Sequence, residues 1–502
     1  MPRHTRKWIA VRDLTAPLLT AAPFVILWSL MLHFLPTQDN SDGLLQTIIS
    51  LQKLTVYFWG QDRFGNLLPA LTAWIHDPLE NAWVQMALRV LTGLLAPVFF
   101  CSLAFRRPLD AWRATLATDC LFALVINPAL GWEIYIEASP YGPSLTCCGL
   151  ATLAARAASL SHGTTRLWTN LLCLGLLLIA YVVNFALVLL TLPLIGLLAL
   201  GSESTIARRL LMQHSVAAVA GFMLPRVVAA SGHTALGANI AIGSYVRYLD
   251  VIWANTHWTF VLAVGLPFLL SLATVRGLPR GESVFWAQAA MLAAAAVLFI
   301  AVASSQWLVT NQFHQRYFIP GYLLLISIGG ISVWQLLRQS GQELATRNAV
   351  FAGVASLLLL CGFERLRELN MVTHGIIGDG KAPLAEAVGH RSLSLSLDGV
   401  AGDYWLVWPS VFMAEQYRYE SNSERPDVLG ITFRGDAKRK EFTGRLAKRG
   451  ALRVGCIDIE VSLCAGFVAS YMEIPGLRGT RFAPEEQLPD HHVLSFITVT
   501  QP

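Results

Sequence analysis

The stretch LWTNLLCLGLLLIAYVVNFALVLLTLPLIGLLAL, Leu167 to Leu200, contains no charged residue. About 20 apolar residues suffice for one helical crossing of a bilayer, so this stretch forms either one kinked helix or two crossings. The two interpretations place every later loop on opposite sides of the membrane. Two crossings, at 167–183 and 185–200, keep the later basic loops on the inner side, as the positive-inside rule requires. Those loops carry Arg208, Arg209, Arg276 and Arg280.

The composition of the whole chain also indicates a multi-spanning membrane protein. Hydrophobic residues make up 54% of the 502 residues, charged residues make up 14%, and the mean hydropathy is +0.52. Soluble globular domains carry about 25% charged residues. The net charge of +5 is small for this length, and the basic residues are scattered over short loops. Nothing in this pattern indicates binding to nucleic acid.

Apolar runs predict a mainly α-helical polytopic bundle with about eleven crossings. The predicted spans are 14–35, 83–105, 114–131, 144–160, 167–183, 185–200, 213–230, 257–275, 284–304, 317–337 and 348–364. An N-terminus on the basic, cytoplasmic side and an odd number of crossings place the tail outside the cytoplasm. We therefore predict a transmembrane body at 1–364 and an extracytoplasmic α/β domain at 365–502.

Local patterns in the tail predict strands and one helix. DYWLVW (Asp403–Trp408), DVLGITF (Asp427–Phe433) and HVLSFITV (His492–Val499) are rich in strand formers. KRKEFTGRLAKRG (Lys438–Gly450) predicts a helix that ends at glycine. A small α/β domain follows from these segments.

The cysteine positions predict one disulfide. Of the eight cysteines, only Cys456 and Cys464 lie in the tail. Outside the cytoplasm an isolated pair favours a disulfide, and a zinc site would need histidine partners that this segment lacks. The other cysteines sit in or beside membrane segments, where they serve as small apolar residues.

Three outward loops mix carboxylates, cations and aromatic rings. They are YFWGQDRFGN (Tyr57–Asn66), GWEIYIEASPYGPS (Gly131–Ser144) and NQFHQRYFIPGY (Asn311–Tyr322). An interfacial belt would account for Trp and Tyr alone, whereas charged groups near the bilayer are usually paired or functional. We predict that these loops converge on one polar cavity at the level of the lipid headgroups.

This set of side chains suits sugar chemistry on a lipid phosphate. Aromatic rings stack on a sugar, a carboxylate deprotonates a hydroxyl group, and cations stabilise the leaving phosphate. Arg316 can hold an anionic headgroup through two hydrogen bonds. Arg89 and Arg226 fall inside predicted membrane segments, where an arginine either is paired or functional or snorkels to the interface.

Two motifs resemble the membrane-embedded glycosyltransferases of the GT-C fold. QDNSDGLL (Gln38–Leu45), which follows the first helix and leads into YFWGQDRFGNLLPAL, resembles the acidic first loop of that family. HQRYFIPGYLLL (His314–Leu325) is similar to the family's late arginine–tyrosine helix start. The resemblance implies a GT-C-like catalytic body at 1–364, a periplasmic domain after it, and the bacterial inner membrane as the location. It also implies inverting transfer from a polyprenyl-phosphate sugar to an extracytoplasmic glycan or lipid-linked acceptor.

The resemblance assigns the general base to an aspartate of the first external loop. We favour Asp42, because it directly precedes Gly43 and the predicted start of an interfacial helix. Asp39 is the second candidate. Asp62 is the third, or else forms a salt bridge with Arg63.

The resemblance also implies the residues that bind substrate. Arg316 and His314 would hold the lipid phosphate, and Glu133 or Glu137 would contact the donor or acceptor sugar. The remaining predicted contacts are Tyr317, Lys53, Trp59 and Arg63. The first loop lacks the tight acidic pair of metal-dependent members, so we predict no metal and no other cofactor.

Other function classes remain open from the residues. A transporter or flippase of lipid-linked sugars would line a path through the bilayer with charge and often shows internal symmetry, whereas the charges here gather on one face. A polymerase of lipid-linked repeat units would also use outward arginines, although the carboxylate-rich first loop favours a monophosphate donor. A sensor would work through the tail and its basic run Lys438–Lys448.

Overall fold

The computed structural model describes most of the chain and divides it into two compact units. The described residues are 25, 27–29, 32, 39–59, 64–125, 128–137, 140–201, 205–228, 242–275, 283–311, 314–339, 375–378, 380–432 and 438–501. The first unit comprises Met1–Pro36, Arg89–Arg226 and Ala235–Val372, and the second comprises Thr37–Leu88, Val227–Thr234 and Thr373–Pro502. Most of the predicted crossing at 14–35 and all of that at 348–364 lie outside the described residues.

Helices make up most of the described chain. In chain order they are α1 (Ser41–Gln52), α2 (Leu67–Thr72), α3 (Pro78–Leu95), α4 (Val98–Ala104), α5 (Pro108–Val125), α6 (Pro128–Tyr135), α7 (Tyr141–Leu160), α8 (Gly163–Val183), α9 (Val188–Gly201), α10 (Thr205–Val228), α11 (Ile242–Val275), α12 (Ser283–Ala303), α13 (Gln306–Thr310), α14 (Ile319–Gln339), α15 (Ala382–Ser394), α16 (Tyr404–Glu420), α17 (Arg439–Arg449) and α18 (Val461–Met472). The predicted class, a mainly helical membrane protein with a C-terminal α/β region, is confirmed.

Four of the described helices are long and apolar enough to cross a membrane. They are Pro78–Ala104, Gly163–Val183, Val284–Ala303 and Gln315–Gln339. Shorter apolar helices cover Phe185–Gly201 and Trp258–Leu272. The total of about eleven crossings stays a prediction.

The charge-free stretch at 167–200 forms two helices, as predicted. α8 ends at Val183, and Asn184 adopts an extended conformation with a φ of −152°. The Asn184 side chain accepts a hydrogen bond from the N–H of Ala186 at 3.2 Å, which caps the short 3₁₀ turn Phe185–Leu187 before α9. An asparagine that satisfies the backbone locally in this way interrupts a helix even in an apolar run.

Glycines allow close packing between helices of the first unit. A Cβ atom added at Gly330 of α14 would lie 2.1 Å from Thr118 Oγ1 and 2.6 Å from the Thr118 backbone nitrogen of α5. A Cβ atom at Gly329 would lie 2.6 Å from the Ala263 carbonyl oxygen of α11. Small residues at such crossings are the usual means by which membrane helices approach each other closely.

The second unit contains a mixed β-sheet. Its strands are β1 (Gly399–Ala401), β2 (Leu429–Ile431), β3 (Ala451–Ile457), β4 (Arg478–Arg481), β5 (Glu486–Gln487) and β6 (Val493–Thr500). In the described part the order is β2-β1-β3-β6-β4, and β5 also pairs with β6. β2, β1 and β3 are parallel, whereas β6 runs antiparallel to β3 and β4. The apolar side chains of α17, α18, β3 and β6 pack into one buried core.

One tail prediction is wrong: DYWLVW begins helix α16 instead of forming a strand. The Asp403 side chain accepts a hydrogen bond from the N–H of Trp405 at 2.8 Å and caps the helix. Its buried residues Tyr404, Val407, Trp408 and Val411 follow helical spacing. The local preference of Tyr, Trp and Val for strands was therefore overridden by the cap and by burial.

The other tail predictions are confirmed. DVLGITF contains β2, HVLSFITV contains most of β6, and KRKEFTGRLAKRG contains α17. α17 ends at Gly450, which has a φ of +74°, a left-handed conformation that favours glycine. Cys456 and Cys464 form a disulfide that links β3 to α18.

Candidate functional site

The predicted site residues fall into two groups, one in each unit. Asp39, Asp42, Lys53 and Trp59 belong to the second unit. The first unit contains Glu133 in α6, Glu137 just after it, and His314, Arg316 and Tyr317 just before α14. Asp62 and Arg63 lie outside the described residues. That all these loops share one cavity stays a prediction.

In the first unit, Arg316 is paired with Glu137. Arg316 lies in the 3₁₀ turn Gln315–Phe318 that leads into α14. Its Nη1 donates a hydrogen bond to Glu137 Oε1 at 3.1 Å, and its Nη2 donates to the Tyr317 hydroxyl at 3.2 Å. The Arg316 side chain is 25% exposed and that of Glu137 is 4% exposed. The carboxylate therefore fixes a guanidinium that solvent still reaches.

Glu133 and His314 extend this cluster. His314 Nε2 lies 3.5 Å from Glu133 Oε1, and His314 Nδ1 accepts from the N–H of Arg316, also at 3.5 Å. Burial raises the pKa of Glu133 to about 10, and the hydrogen bond and charge of Glu137 add to this rise while the charge of Arg316 opposes it. Burial and the charge of Arg316 lower the pKa of His314. At neutral pH a protonated Glu133 and a neutral imidazole thus lie beside the Arg316–Glu137 ion pair.

Hydrogen bonds within the turn and from Arg89 of helix α3 fix the backbone around Glu137. The Trp132 carbonyl oxygen accepts hydrogen bonds from the N–H groups of Ile136 and Glu137, both at 2.9 Å. The Ile136 carbonyl oxygen accepts from Arg89 Nη1 at 3.1 Å. Arg89 is buried, so it supports the turn that carries Glu137. The side chain of Arg226 lies outside the described residues.

In the second unit, the two aspartates lie at the start of α1. Asn40 caps this helix, because its side-chain oxygen accepts from the N–H groups of Asp42 at 3.0 Å and Gly43 at 3.1 Å. Asp39 is buried, and its Oδ1 accepts from the N–H of Asn40 at 3.0 Å. Asp42 is half-buried and accepts a hydrogen bond from the Tyr404 hydroxyl. A helix N-terminus favours carboxylates at these positions.

The aromatic residues of YFWGQDRFGN pack inside the second unit. Tyr57 pairs with Gly65 in an antiparallel bridge. Trp59 is 1% exposed, its ring centroid lies 6.0 Å from that of Trp408, and Lys438 Nζ lies 5.5 Å from the Trp59 centroid. These contacts favour a packing role for Trp59. Lys53, just after α1, is exposed, and its carbonyl oxygen accepts from the Trp59 indole N–H at 3.2 Å.

Sequence reasoning missed the tail residues that contact the segment carrying Asp42. Tyr404 and Trp405, at the start of α16, contact the segment that carries Asp42. Lys381, next to α15, lies over the Trp405 ring. Asp403 ahead of apolar residues at helical spacing was the available local signal for the start of this helix. Its contact with Asp42, more than 360 positions away, has no local signal.

The described residues do not group three or more His, Cys, Asp or Glu side chains where they could hold a metal ion.

Comparison with known proteins finds similar structures. The sequence matches no protein-family model and no curated protein. The fold is similar to that of ArnT from Cupriavidus metallidurans, with a TM-score of 0.49 and 12% identity over 97% of this chain and 98% of that one. An oligosaccharyltransferase of Archaeoglobus fulgidus gives 0.46 and 12% over 90% and 71%. The arabinofuranosyltransferase AftD from mycobacteria gives 0.44 and 13% over 96% and 39%.

These three similar structures are GT-C fold glycosyltransferases, the family that the sequence motifs resemble. At 12–13% identity the comparisons assign no individual side chain. The roles of the residues are therefore argued from their own geometry.

Proposed function

We propose that this protein is a membrane glycosyltransferase that uses a polyprenyl-phosphate sugar and glycosylates an extracytoplasmic glycan or lipid-linked acceptor with inversion. The proposal includes a transmembrane catalytic body at 1–364 in a bacterial inner membrane, with an N-terminus in the cytoplasm and a domain at 365–502 in the periplasm. The observation that carries it is the partly exposed Arg316, fixed by Glu137 at 3.1 Å just before the apolar helix α14.

Arg316 is suited to the phosphate of a lipid donor. Its planar guanidinium can give two parallel hydrogen bonds to phosphate oxygens, and Glu137 and Tyr317 fix its orientation. His314 Nε2 lies 3.5 Å from Glu133 Oε1, and His314 Nδ1 accepts from the N–H of Arg316, so the imidazole helps to position this cluster and has no further N–H for the phosphate. As the bond from the sugar to the phosphate breaks, the guanidinium stabilises the negative charge that develops on the polyprenyl phosphate.

Asp42 is the proposed general base. Its carboxylate takes the proton of the acceptor hydroxyl while the hydroxyl oxygen attacks the anomeric carbon. The bond between that carbon and the phosphate oxygen breaks in the same step, so the configuration inverts and polyprenyl phosphate leaves. Tyr404 donates a hydrogen bond to Asp42 and orients it.

The test is a transfer assay with purified protein and a panel of labelled polyprenyl-phosphate sugars, with total lipid and glycan extracts as acceptors. We expect one donor to give a labelled product, and we expect Arg316→Gln to lower kcat/KM for that donor by about 100-fold or more. Arg338→Gln is the matched control, because Arg338 is a partly exposed arginine in the last turn of α14 that faces Asp110.

Three results would contradict the proposal. The first is no transfer from any donor by the wild-type protein. The second is a ladder of joined repeat units from diphosphate-linked precursors, which would indicate a polymerase. The third is movement of lipid-linked sugar between leaflets of a vesicle without transfer, which would indicate a flippase.

A further inference from the structure

Three distant chain segments meet at one surface of the second unit. The N–H of Asp39 donates to the Ile376 carbonyl oxygen at 2.7 Å, and the Ser41 hydroxyl donates to the Trp405 carbonyl oxygen at 3.2 Å. The Tyr404 hydroxyl donates to Asp42. These hydrogen bonds join the segment 39–42 to Ile376 and to Tyr404 and Trp405. The start of α16 is therefore held next to the start of α1.

Trp405 presents a large aromatic ring on this surface. Its side chain is 41% exposed, although its neighbour Tyr404 is buried. The Tyr404 ring stands perpendicular to the indole with a centroid distance of 5.1 Å, and Lys381 Nζ lies 5.6 Å from the indole centroid. The exposed part of the indole forgoes the free energy that its burial would give. A ligand that covers the ring would recover that free energy.

Lys381 supplies a cation next to the ring. It is half-buried, and in the described part of the chain it forms no ion pair with a carboxylate. Burial lowers the pKa of Lys381, and the charge of the nearby Asp403 partly opposes this. An ammonium group that has lost part of its hydration without gaining an ion pair attracts an anion from solution.

We propose that Trp405 and Lys381 form a binding site for a phosphorylated sugar. The apolar face of the pyranose ring stacks on the indole, and the phosphate pairs with the Lys381 ammonium. Asp42 accepts a hydrogen bond from Tyr404, the residue next to Trp405, and in this proposal it also accepts one from a sugar hydroxyl. The role of the bound sugar rests on the proposed function. If that function holds, the sugar is the acceptor, and the tail selects it.

The test is binding of mannose 6-phosphate, mannose and inorganic phosphate to the full-length protein in nanodiscs, measured by saturation-transfer NMR and calorimetry. We expect saturable binding of mannose 6-phosphate, and about tenfold weaker binding of it to Trp405→Ala and to Lys381→Met. Two matched controls in the same unit should bind it normally: Trp74→Ala removes a more exposed indole, and Lys448→Met removes an exposed lysine on α17. Mannose should bind more weakly than mannose 6-phosphate, and the binding of inorganic phosphate should not depend on Trp405.

The proposal is overturned if the wild-type protein shows no saturable binding of mannose 6-phosphate at millimolar concentrations, or if Trp405→Ala binds it normally. Equal affinity for mannose and mannose 6-phosphate would overturn the role of Lys381. The two proposals fail separately. If the protein binds mannose 6-phosphate but transfers no sugar, the binding site is supported and the proposed transferase function is contradicted. If Trp405→Ala transfers sugar with an unchanged KM for the acceptor, the transferase function is supported and the role of this site in acceptor binding is contradicted.

Discussion

At the scale of single residues, the Glu133 carboxyl is protonated at neutral pH in the folded protein. Burial, aided by the neighbouring Glu137, raises the pKa of this carboxyl to about 10, whereas its pKa in an unfolded chain is about 4.3. Between these two values the folded protein binds more protons than the unfolded one. The contribution of Glu133 to stability is therefore present at low pH and is lost as the pH rises through this window.

Replacing Glu133 by glutamine should flatten the dependence of stability on pH. The amide has nearly the shape of the protonated acid and cannot ionise, so the variant should lose a slope of up to about 1.4 kcal/mol per pH unit from one proton. The measurement is the melting temperature in detergent between about pH 6 and 9, followed by intrinsic fluorescence.

Glu473→Gln serves as the control, because Glu473 is a well-exposed carboxylate on the second unit. It should leave the wild-type slope unchanged. If Glu133→Gln keeps that slope as well, Glu133 is ionised in the folded protein and the description of the cluster is wrong.

At the scale of elements, the close crossing of α14 and α5 depends on Gly330. A Cβ atom there would meet the Thr118 backbone nitrogen at 2.6 Å, so Gly330→Ala must push two helices apart. We expect a loss of about 1–3 kcal/mol in stability, seen as a lower melting temperature. Gly321→Ala in the same helix is the control, because a Cβ atom there meets only Leu298 Cδ2 at an ordinary 3.8 Å. Equal melting temperatures for the two variants would contradict the crossing.

The elements that were predictable from sequence are those with a local cause. The apolar stretch at 167–200 splits at Asn184, whose side chain bonds to the backbone two residues on. α17 ends where Gly450 adopts a positive φ. DYWLVW failed because its composition favours a strand while the cap at Asp403 and burial on α16 require a helix. The composition of DYWLVW was thus a weaker guide to its secondary structure than its first residue, Asp403, which caps the helix.

At the scale of the whole molecule, the grouping of Thr37–Leu88 with the tail was not predictable. Gln52 Nε2 donates to Glu415 Oε1 at 2.8 Å, and Ser41 donates to the Trp405 carbonyl oxygen. Such contacts join positions more than 360 residues apart, and no local pattern encodes them. The sequence did single out Asp42, Arg316 and Glu137 as candidates, because charge next to membrane segments is costly enough to be informative. It could not identify Tyr404 as the partner of Asp42.

The central claim is that Asp42 removes a proton from the acceptor during glycosyl transfer. Its most direct test is single-turnover transfer by Asp42→Asn with the donor that the wild-type protein uses, with donor binding and melting temperature measured on the same samples. We predict unchanged donor binding and a rate lowered by about 100-fold to 10,000-fold, while Asp250→Asn, an exposed aspartate on α11, transfers at the wild-type rate. A folded Asp42→Asn variant that transfers at the wild-type rate would contradict the claim.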